Sequence, residues 1–448
     1  MDFIQTDRGQ FVYQGKRIRL RGFGIGTWLS LEHFMIGLPA SEKIIRSAFQ
    51  DAFGQETAVR FFNTYQNTFL QEGDFKLLKS CGVNFIRIPF NYRLFTDDNN
   101  PDTFLEEGFA VFDKLFALCA QYKIFALIDL HAAAGSQNPD WHSDNSNGVP
   151  LFWEYRVFRS QTVKLWGAIA GRYRGEPYLM GYDLLNEPAM ASWRALNEFY
   201  SEAIETIRRA DKNHIIVLEG DCFSMDFSGL TPFDDDKLAV GFHYYPTVWN
   251  PGLLDPSLDR RVRKEKIAEG LDRILNETKR FGWPVLCGEF GYAAKDCGSG
   301  AMQLLEDTLV LLESRQLDWL LWCYKDIGYM GMTAPCAAST WLRLAGDISP
   351  EWNQHIEKAQ AASLMDMTAD NWFPAISEDE RYKLQFRLRA CLYALQSRHI
   401  LYPQLKKFKQ AEILGMASEF AIENCRIDTE IRLLLTRFLL PDTPGGAA

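Results

Sequence analysis

Nothing in the 448-residue chain reads as an export or membrane signal. The first residues, Met1-Asp2-Phe3-Ile4-Gln5-Thr6-Asp7-Arg8, bring in acid at once and lack a basic stretch leading into an apolar one. No unbroken apolar run approaches the roughly 20 residues that cross a bilayer. A cytoplasmic protein without a membrane span is the expectation. Cations are in the minority, 48 Lys and Arg against 58 Asp and Glu, for a formal charge of −10. With no basic stripe on a mixed-sign surface, nucleic acid is excluded as a partner. Histidine is scarce, seven in all and never as His-x-His, and the nine cysteines are odd in number and lack metal or redox spacing. These absences speak against a metal centre and a disulfide framework, so no metal and no cofactor are expected. Cys287 and Cys323 lie in apolar runs, as reduced core thiols do.

Apolar side chains are plentiful, 47% of residues, and aromatic ones make up 14%. That is enough for one large core, or for a barrel of ordinary size with an extra segment. Apolar runs of strand length recur at 17–26, 84–90, 124–131, 179–186, 215–219, 238–244, 284–289 and 318–323. Between them, 68–80, 106–121, 157–173, 191–210, 259–280 and 301–315 have helical spacing with polar outer faces, and only the stretch after Glu219 is irregular. Alternation of this kind predicts an α/β fold with a parallel sheet, and eight units over about 350 residues predict a (β/α)8 TIM barrel. Residues 339–362 would supply its last helix, and 43–67 an extra loop. Beyond 368–374 come Leu-, Arg- and Lys-rich helical patterns at 378–402 and 403–440, without strand signal. The expected organisation is a barrel over 1–365, an additional C-terminal helical segment over 366–440 and a disordered tail over 441–448. The C-terminal helices either pack on the barrel wall or build a homo-oligomer contact.

Two carboxylates close apolar runs at turns: Glu187 in Tyr182-Asp183-Leu184-Leu185-Asn186-Glu187-Pro188, and Glu289 in Pro284-Val285-Leu286-Cys287-Gly288-Glu289-Phe290-Gly291. Barrel chemistry gathers at the C-terminal ends of strands. Arg87, His131, Asn186, Glu187, His243, Tyr245, Glu289 and Trp322 all fall at or just beyond such ends. Two carboxyls facing across a cleft are what glycoside cleavage needs, one to protonate the leaving oxygen and one to meet the developing oxocarbenium. Glu187, in a partly desolvated turn, is expected to have a raised pKa and to act as acid/base. Glu289, held ionised by Arg87 and Tyr245, is expected to be the nucleophile. Such a pair lies about 5 to 5.5 Å apart and retains the anomeric configuration. Arg87 on an apolar strand must be paired, with Glu289 the expected partner. Asn186 would donate to the sugar 2-hydroxyl, while His131 and His243 would orient hydroxyls or tune the acid. Trp322, with Trp28 and Phe290, would give a pyranose face its apolar floor.

These motifs resemble glycoside hydrolase family 5, a family of retaining (β/α)8 enzymes, over about residues 10–360. The resemblance is carried in order by Gly82-Val83-Asn84-Phe85-Ile86-Arg87-Ile88-Pro89, Asp129-Leu130-His131, Leu185-Asn186-Glu187-Pro188, His243-Tyr244-Tyr245, Gly288-Glu289-Phe290-Gly291 and the late Trp322. Within it, 21–32 and 129–138 are similar to the exo-acting β-1,3-glucanase and β-glucosidase branch. That likeness implies that Glu32 and Asp144 hold the terminal sugar and close the cleft into a pocket. Thr27 replaces a usual glycine, Ala133-Ala134 replaces a usual Ala-Pro, and 139–143 is an insertion. The implied substrate is a β-linked oligosaccharide or β-glucoside. An endo-acting glucanase or mannanase, an intracellular β-glycosidase acting on glycolipids, a metal-dependent barrel hydrolase and a non-enzymatic sugar-binding barrel remain alternatives.

Overall fold

Eight parallel strands close on themselves in chain order: β1 (Arg21–Gly24), β2 (Phe85–Asn91), β3 (Phe125–Ala132), β4 (Leu179–Asp183), β5 (Ile215–Glu219), β6 (Leu238–Tyr244), β7 (Val285–Phe290) and β8 (Asp318–Leu321). The computed structural model describes residues 2–293, 297–356 and 375–440. Each strand pairs with its successor, and β8 returns to β1 through Trp319 opposite Arg21. The fold is the expected (β/α)8 barrel, flanked by helices with additional helices at the C-terminal side. Barrel strands are buried on both faces, which is why they appear in the sequence as continuous apolar runs rather than alternating ones.

The crossover helices follow from three- and four-residue apolar spacing. The helix over Trp193–Ala210 buries Leu196, Phe199, Tyr200, Ala203, Ile204 and Ile207 along one stripe. Its start is set by Ser192, whose hydroxyl accepts from the Ala195 N–H at 3.2 Å. At the N-terminal end of the barrel a small antiparallel sheet, Gln5–Asp7, Gln10–Tyr13 and Lys16–Arg17, brings Ile4 and Phe11 against Phe85, Phe125 and Ile215. That apolar plug closes one end and leaves the C-terminal rim for chemistry.

Three expectations need correction. The segment 43–67 is not a loop: it forms α1 (Glu42–Phe53) and α2 (Gln55–Phe69), separated by Gly54 at φ +84° and packed inward through Phe49, Phe61 and Phe62. The C-terminal region is not purely helical, because Cys425–Ile427 pairs antiparallel with Thr333–Pro335 from the loop after β8. Nor does Pro403 divide two helices. It lies inside α3 (Glu378–Leu405), two residues from its end, where the missing N–H costs one bond to the carbonyl four residues earlier without ending the helix.

The C-terminal segment is tied to the barrel by polar contacts as well as by apolar ones. Lys325, fully buried, donates to Asp74 and to the Phe69 and Phe420 carbonyl oxygens, each at 2.7 Å. Glu419 accepts from the Thr340 and Trp341 N–H groups at 2.8 and 2.6 Å. The expected separator 368–374 and the tail 441–448 lie outside the described residues. Among the described residues no helix is long and apolar enough to cross a membrane.

Candidate active site

Arg87 is the organising charge at the C-terminal rim. Fully buried near the middle of β2, its guanidinium donates to Glu289 Oε1 (2.6 Å), Asp183 Oδ2 (2.8 Å), Asn186 Oδ1 (2.9 Å) and Glu219 Oε1 (3.0 Å). Asp129 lies 3.1 Å from the same group. A planar donor fork suits this many acceptors, where an ammonium could not. The expected Glu289 partner is present, and β3, β4 and β5 each supply a further acid.

Glu187 sits on a turn rather than on a strand. β4 stops at Asp183, and Glu187 takes φ +47°. Its N–H donates to Glu219 Oε2 (2.7 Å) and its carbonyl accepts from Asn138 Nδ2 (3.0 Å). Gln137 spans the neighbouring carbonyls of His131 and Asn186 at 2.7 and 2.8 Å. The loop after β3 and the end of β5 thus hold the turn on both sides.

The two carboxylates come together across one cavity of about 530 Å³. Oxygens of Glu187 and Glu289 and a ring nitrogen of His243 all lie within 4.8 Å of one another. Glu289 Oε2 accepts from the Tyr245 hydroxyl at 2.8 Å. Glu187 Oε1 meets His243 Nδ1 at 2.7 Å, and its Oε2 is 3.1 Å from His142 Nε2. Among the described residues Glu187, His243 and Glu289 are the group whose ligand atoms cluster tightly enough for a cation. Arg87 already supplies the positive charge on Glu289, so the trio suits a neutral organic ligand better than an ion.

The electrostatics run against the expectation for both carboxyls. Burial raises the Glu187 pKa, but His142 and His243 outweigh it and hold the group well below the usual carboxylate range. Burial raises Glu289, and the nearby Glu187 adds to this against the pull of His243 and Arg87. The sequence reading named His243 as a tuner of the acid but took desolvation as the larger effect, and it did not include His142.

His131 also sits at the cavity. Its Nδ1 bonds Asp129 Oδ2 at 2.8 Å, its Nε2 is 3.1 Å from Glu32, and its ring lies parallel to Trp322 at 5.6 Å. A β-carbon on Gly24 would come within 2.4 Å of the Trp322 ring and one on Gly26 within 2.6 Å, so glycine in β1 and its exit lets the indole lie flat against the backbone. Glu32, His131, Glu187, His243, Tyr245, Glu289 and Trp322 line the cavity, while Arg87 and Asn186 support it from beneath.

Trp28 and Asp144 are not brought there. Trp28 is buried and donates to the Gln66 carbonyl at 2.8 Å. Asp144, at φ +56°, turns back to accept from the Lys43 N–H (2.8 Å) and Asn91 Nδ2 (3.1 Å) and to pair with Arg93. The preceding insertion delivers Asp140 and His142 to the cavity instead. Phe290 is core, edge-on to Trp319 at 5.8 Å. Sequence reasoning missed Glu219, although it ends β5 and the strand-end criterion applied to it. It also missed His142, for which the insertion was a signal, and the mouth residues Phe223 and Trp249, on the short helical turns Asp221–Ser224 and Pro246–Trp249, and Tyr329 and Met330, none of them in a motif.

Residues 50–328 match the family model described as cellulase, glycosyl hydrolase family 5. The chain belongs to glycosyl hydrolase family 5. It is a retaining glycoside hydrolase, and the sugar-binding alternative without catalysis falls away. Among family members it is 33% identical over 345 residues to a beta-xylosidase of Phanerodontia chrysosporium, covering 74% of this chain and 72% of that one. It is 30% identical over 308 residues to glucan 1,3-beta-glucosidase 2 of Wickerhamomyces anomalus, covering 64% and 67%. The endoglucanase Cel5A of Thermotoga maritima shares the family 5 fold at a TM-score of 0.53 and 19% identity, over 72% of this chain and 93% of that one.

Proposed function

We propose that the protein is an exo-acting β-glucosidase of the family, working by double displacement with Glu187 as acid/base and Glu289 as nucleophile. The observation that carries this reading is the approach of the two carboxylates within 4.8 Å, one bound by Arg87 and Tyr245, the other by His243 and His142. The separation suits direct attack by a carboxylate, since inversion needs room for a water and separations of about 6.5 Å or more. In the first step Glu289 attacks the anomeric carbon as Glu187 protonates the departing glycosidic oxygen. In the second, water attacks that carbon, the bond to Glu289 breaks, and Glu187 takes the proton from water. Asn186 supports the transition state in this scheme: its Oδ1 accepts from Arg87, while its buried Nδ2 has no protein partner and is free to donate to the sugar 2-hydroxyl.

Exo action is supported by the size of the cavity, about 530 Å³, in the lower half of the ~300–1,000 Å³ typical of small-ligand sites. That volume fits one or two sugar rings better than a polymer. A β-xylosidase reading has its own support in the Phanerodontia relative, and xylose is glucose without its hydroxymethyl group, so the same carboxylates would serve both.

Turnover of aryl β-glucoside, xyloside, mannoside and cellobioside by wild type, Glu187→Ala and Glu289→Ala is the test. Monoglucoside turnover with retained configuration, loss of about 10³-fold or more in Glu289→Ala and azide rescue of Glu187→Ala are expected. Cleavage confined to the cellobioside would replace exo by endo action, and preference for the xyloside would replace the sugar.

A further inference from the structure

The insertion 139–143 in the loop after β3 places a second imidazole on Glu187. His142 stands on the single helical turn Trp141–Ser143, with Nε2 3.1 Å from Glu187 Oε2 and 2.7 Å from Asn138 Nδ2. Glu187 is thus approached on both oxygens, by His243 at Oε1 and by His142 at Oε2. We propose that His142 is a proton store for Glu187, holding the proton of the acid/base in the free enzyme and handing it to Oε2 when substrate binds. This rests on the assignment of Glu187 as acid/base.

The two imidazoles are not equivalent. His243 faces three carboxylates, Glu187 at 2.7 Å, Glu219 at 3.3 Å and Glu289 at 3.6 Å, so its positive charge is held firmly and it gives up a proton reluctantly. His142 faces one carboxylate directly. Asp140 on its own loop adds a weaker negative field, the His131 ring 5.7 Å away on β3 opposes it, and Phe223, 6.3 Å away after β5, adds no charge.

Asn138 biases this proton toward transfer. Its Oδ1 accepts from the Asp140 N–H at 3.0 Å and its Nδ2 donates to the Glu187 carbonyl at 3.0 Å, which fixes the amide orientation. The second amide hydrogen then points at His142 Nε2, a contact that is favourable when Nε2 carries a lone pair and unfavourable when it carries a proton. The carboxylate draws the proton onto the imidazole, and the amide, 2.7 Å from the same nitrogen, pushes it back toward Oε2 across 3.1 Å.

The cycle closes without another reactant. The His142 cation protonates Glu187. The neutral carboxyl then protonates the leaving oxygen as the glycosidic C–O bond breaks and Glu289 bonds to the anomeric carbon. In the second step water attacks, the bond to Glu289 breaks, and the proton of water passes through Glu187 to His142.

Two measurements test this. The first is the pH profile of kcat/KM on aryl β-glycosides with good and poor leaving groups, for wild type, His142→Ala and His142→Gln. Both variants lack the proton store, and Gln keeps a hydrogen-bond donor toward Oε2. In both, the alkaline limb should move to lower pH by about one unit, and kcat/KM should fall about tenfold or more for poor leaving groups but little for dinitrophenyl glycosides. An unshifted limb in both, or a limb and rate restored by Gln, would reduce His142 to a positioning role and overturn the proposal.

The second needs no substrate. Imidazole ¹⁵N spectra of the free protein, with its seven histidines, should show His142 protonated at neutral pH in wild type and neutral in Glu187→Gln. A His142 that is neutral in both overturns the store. Full activity of Glu187→Ala on poor leaving groups would instead remove the acid/base assignment itself, a distinct failure.

Discussion

His243 Nδ1 lies 2.7 Å from Glu187 Oε1, and the same ring atom is 3.6 Å from Glu289 Oε2. One imidazole therefore separates two carboxylates that would otherwise repel, in a site where burial strengthens every charge. Its own pKa is pushed far up: burial opposes the charge, but Glu219, Glu289 and Glu187 outweigh it.

Replacing His243 by Phe keeps the ring volume and deletes the charge. The carboxylates then behave as a like-charged pair sharing one proton. Glu289 is already raised by burial and restrained by His243, so its pKa should climb further. A nucleophile must be ionised, and the acidic limb of the pH–rate profile should move to higher pH while kcat falls about tenfold or more. An acidic limb that stays in place would mean that Arg87 alone keeps Glu289 ionised.

Arg87 is the second case. Arg87→Met leaves Asp129, Asp183, Glu219 and Glu289 facing one another in the core, where removing one partner of a buried pair costs about 3–5 kcal/mol. The midpoint of urea unfolding should fall accordingly. Arg87→Lys should recover part of the stability and little activity, because an ammonium cannot span these acceptors in one plane. Equal stability of Met and wild type would mean that the acids take up protons instead of repelling.

Arg87, Glu187 and Glu289 show how much of the site was legible in the sequence. Glu187 and Glu289 close apolar runs at turns, where polarity has few structural uses, while Arg87 lies inside β2 and was legible because a guanidinium in an apolar run must be paired. The barrel itself was legible because its strands are buried on both faces and its helices on one. The charges from neighbouring strands were not. Asp183 and Asp129 are single acids inside apolar runs whose pairing with Arg87 is a matter of barrel closure, which no local pattern records. Asp144 failed for a related reason: spacing to the nearest motif was a poor guide across an insertion, and the left-handed backbone at Asp144 sends its carboxylate to Arg93. The short strand Cys425–Ile427 was invisible because its partner, Thr333–Pro335, lies about ninety residues earlier, and three residues carry too little periodicity to announce a strand.

His131 gives a pH dependence of stability with a definite sign. Burial pulls its pKa down, but Asp129 and Glu32 lift it from 6.5 to about 10. The folded value exceeds the unfolded one, so the stabilisation is complete below about 6.5 and disappears as pH rises through about 10. The difference in Tm between wild type and His131→Phe should be largest near pH 6 and shrink steadily toward pH 10. A difference that does not change with pH would show that the pairing with Asp129 and Glu32 contributes nothing beyond shape.

The Lys325 contacts predict how the C-terminal helices are held. Lys325→Met takes the cation from the buried Asp74 carboxylate, which keeps only the Tyr324 hydroxyl and the Gln71 N–H, and a donor from two carbonyls, one of them Phe420 in the C-terminal segment. A loss of about 3 kcal/mol or more is expected, with the segment around Phe420 cleaved by protease before the barrel. Simultaneous loss of both would show that barrel and extension unfold as one unit.

The mouth of the cavity on the Glu187 side is apolar. The Phe223 and Trp249 rings lie 6.1 Å apart at 49°, Phe223 is 6.3 Å from the His142 ring, and Trp249 is 44% exposed. With Glu187 as the proposed acid/base facing the leaving group, the prediction is that these rings meet the aglycone and not the glycone. Trp249→Ala should therefore raise KM for aryl glucosides about fivefold, roughly 1 kcal/mol of lost stacking. Its kcat should stay near wild type, the sign of binding lost equally from ground and transition states. Methyl β-glucoside, with no ring to stack, should show no change in either constant. Equal KM increases for aryl and methyl glucosides would instead mean that Trp249 holds the loop 246–254 in position, and the aglycone side would then have to be sought at Tyr329 and Met330, across the same cavity.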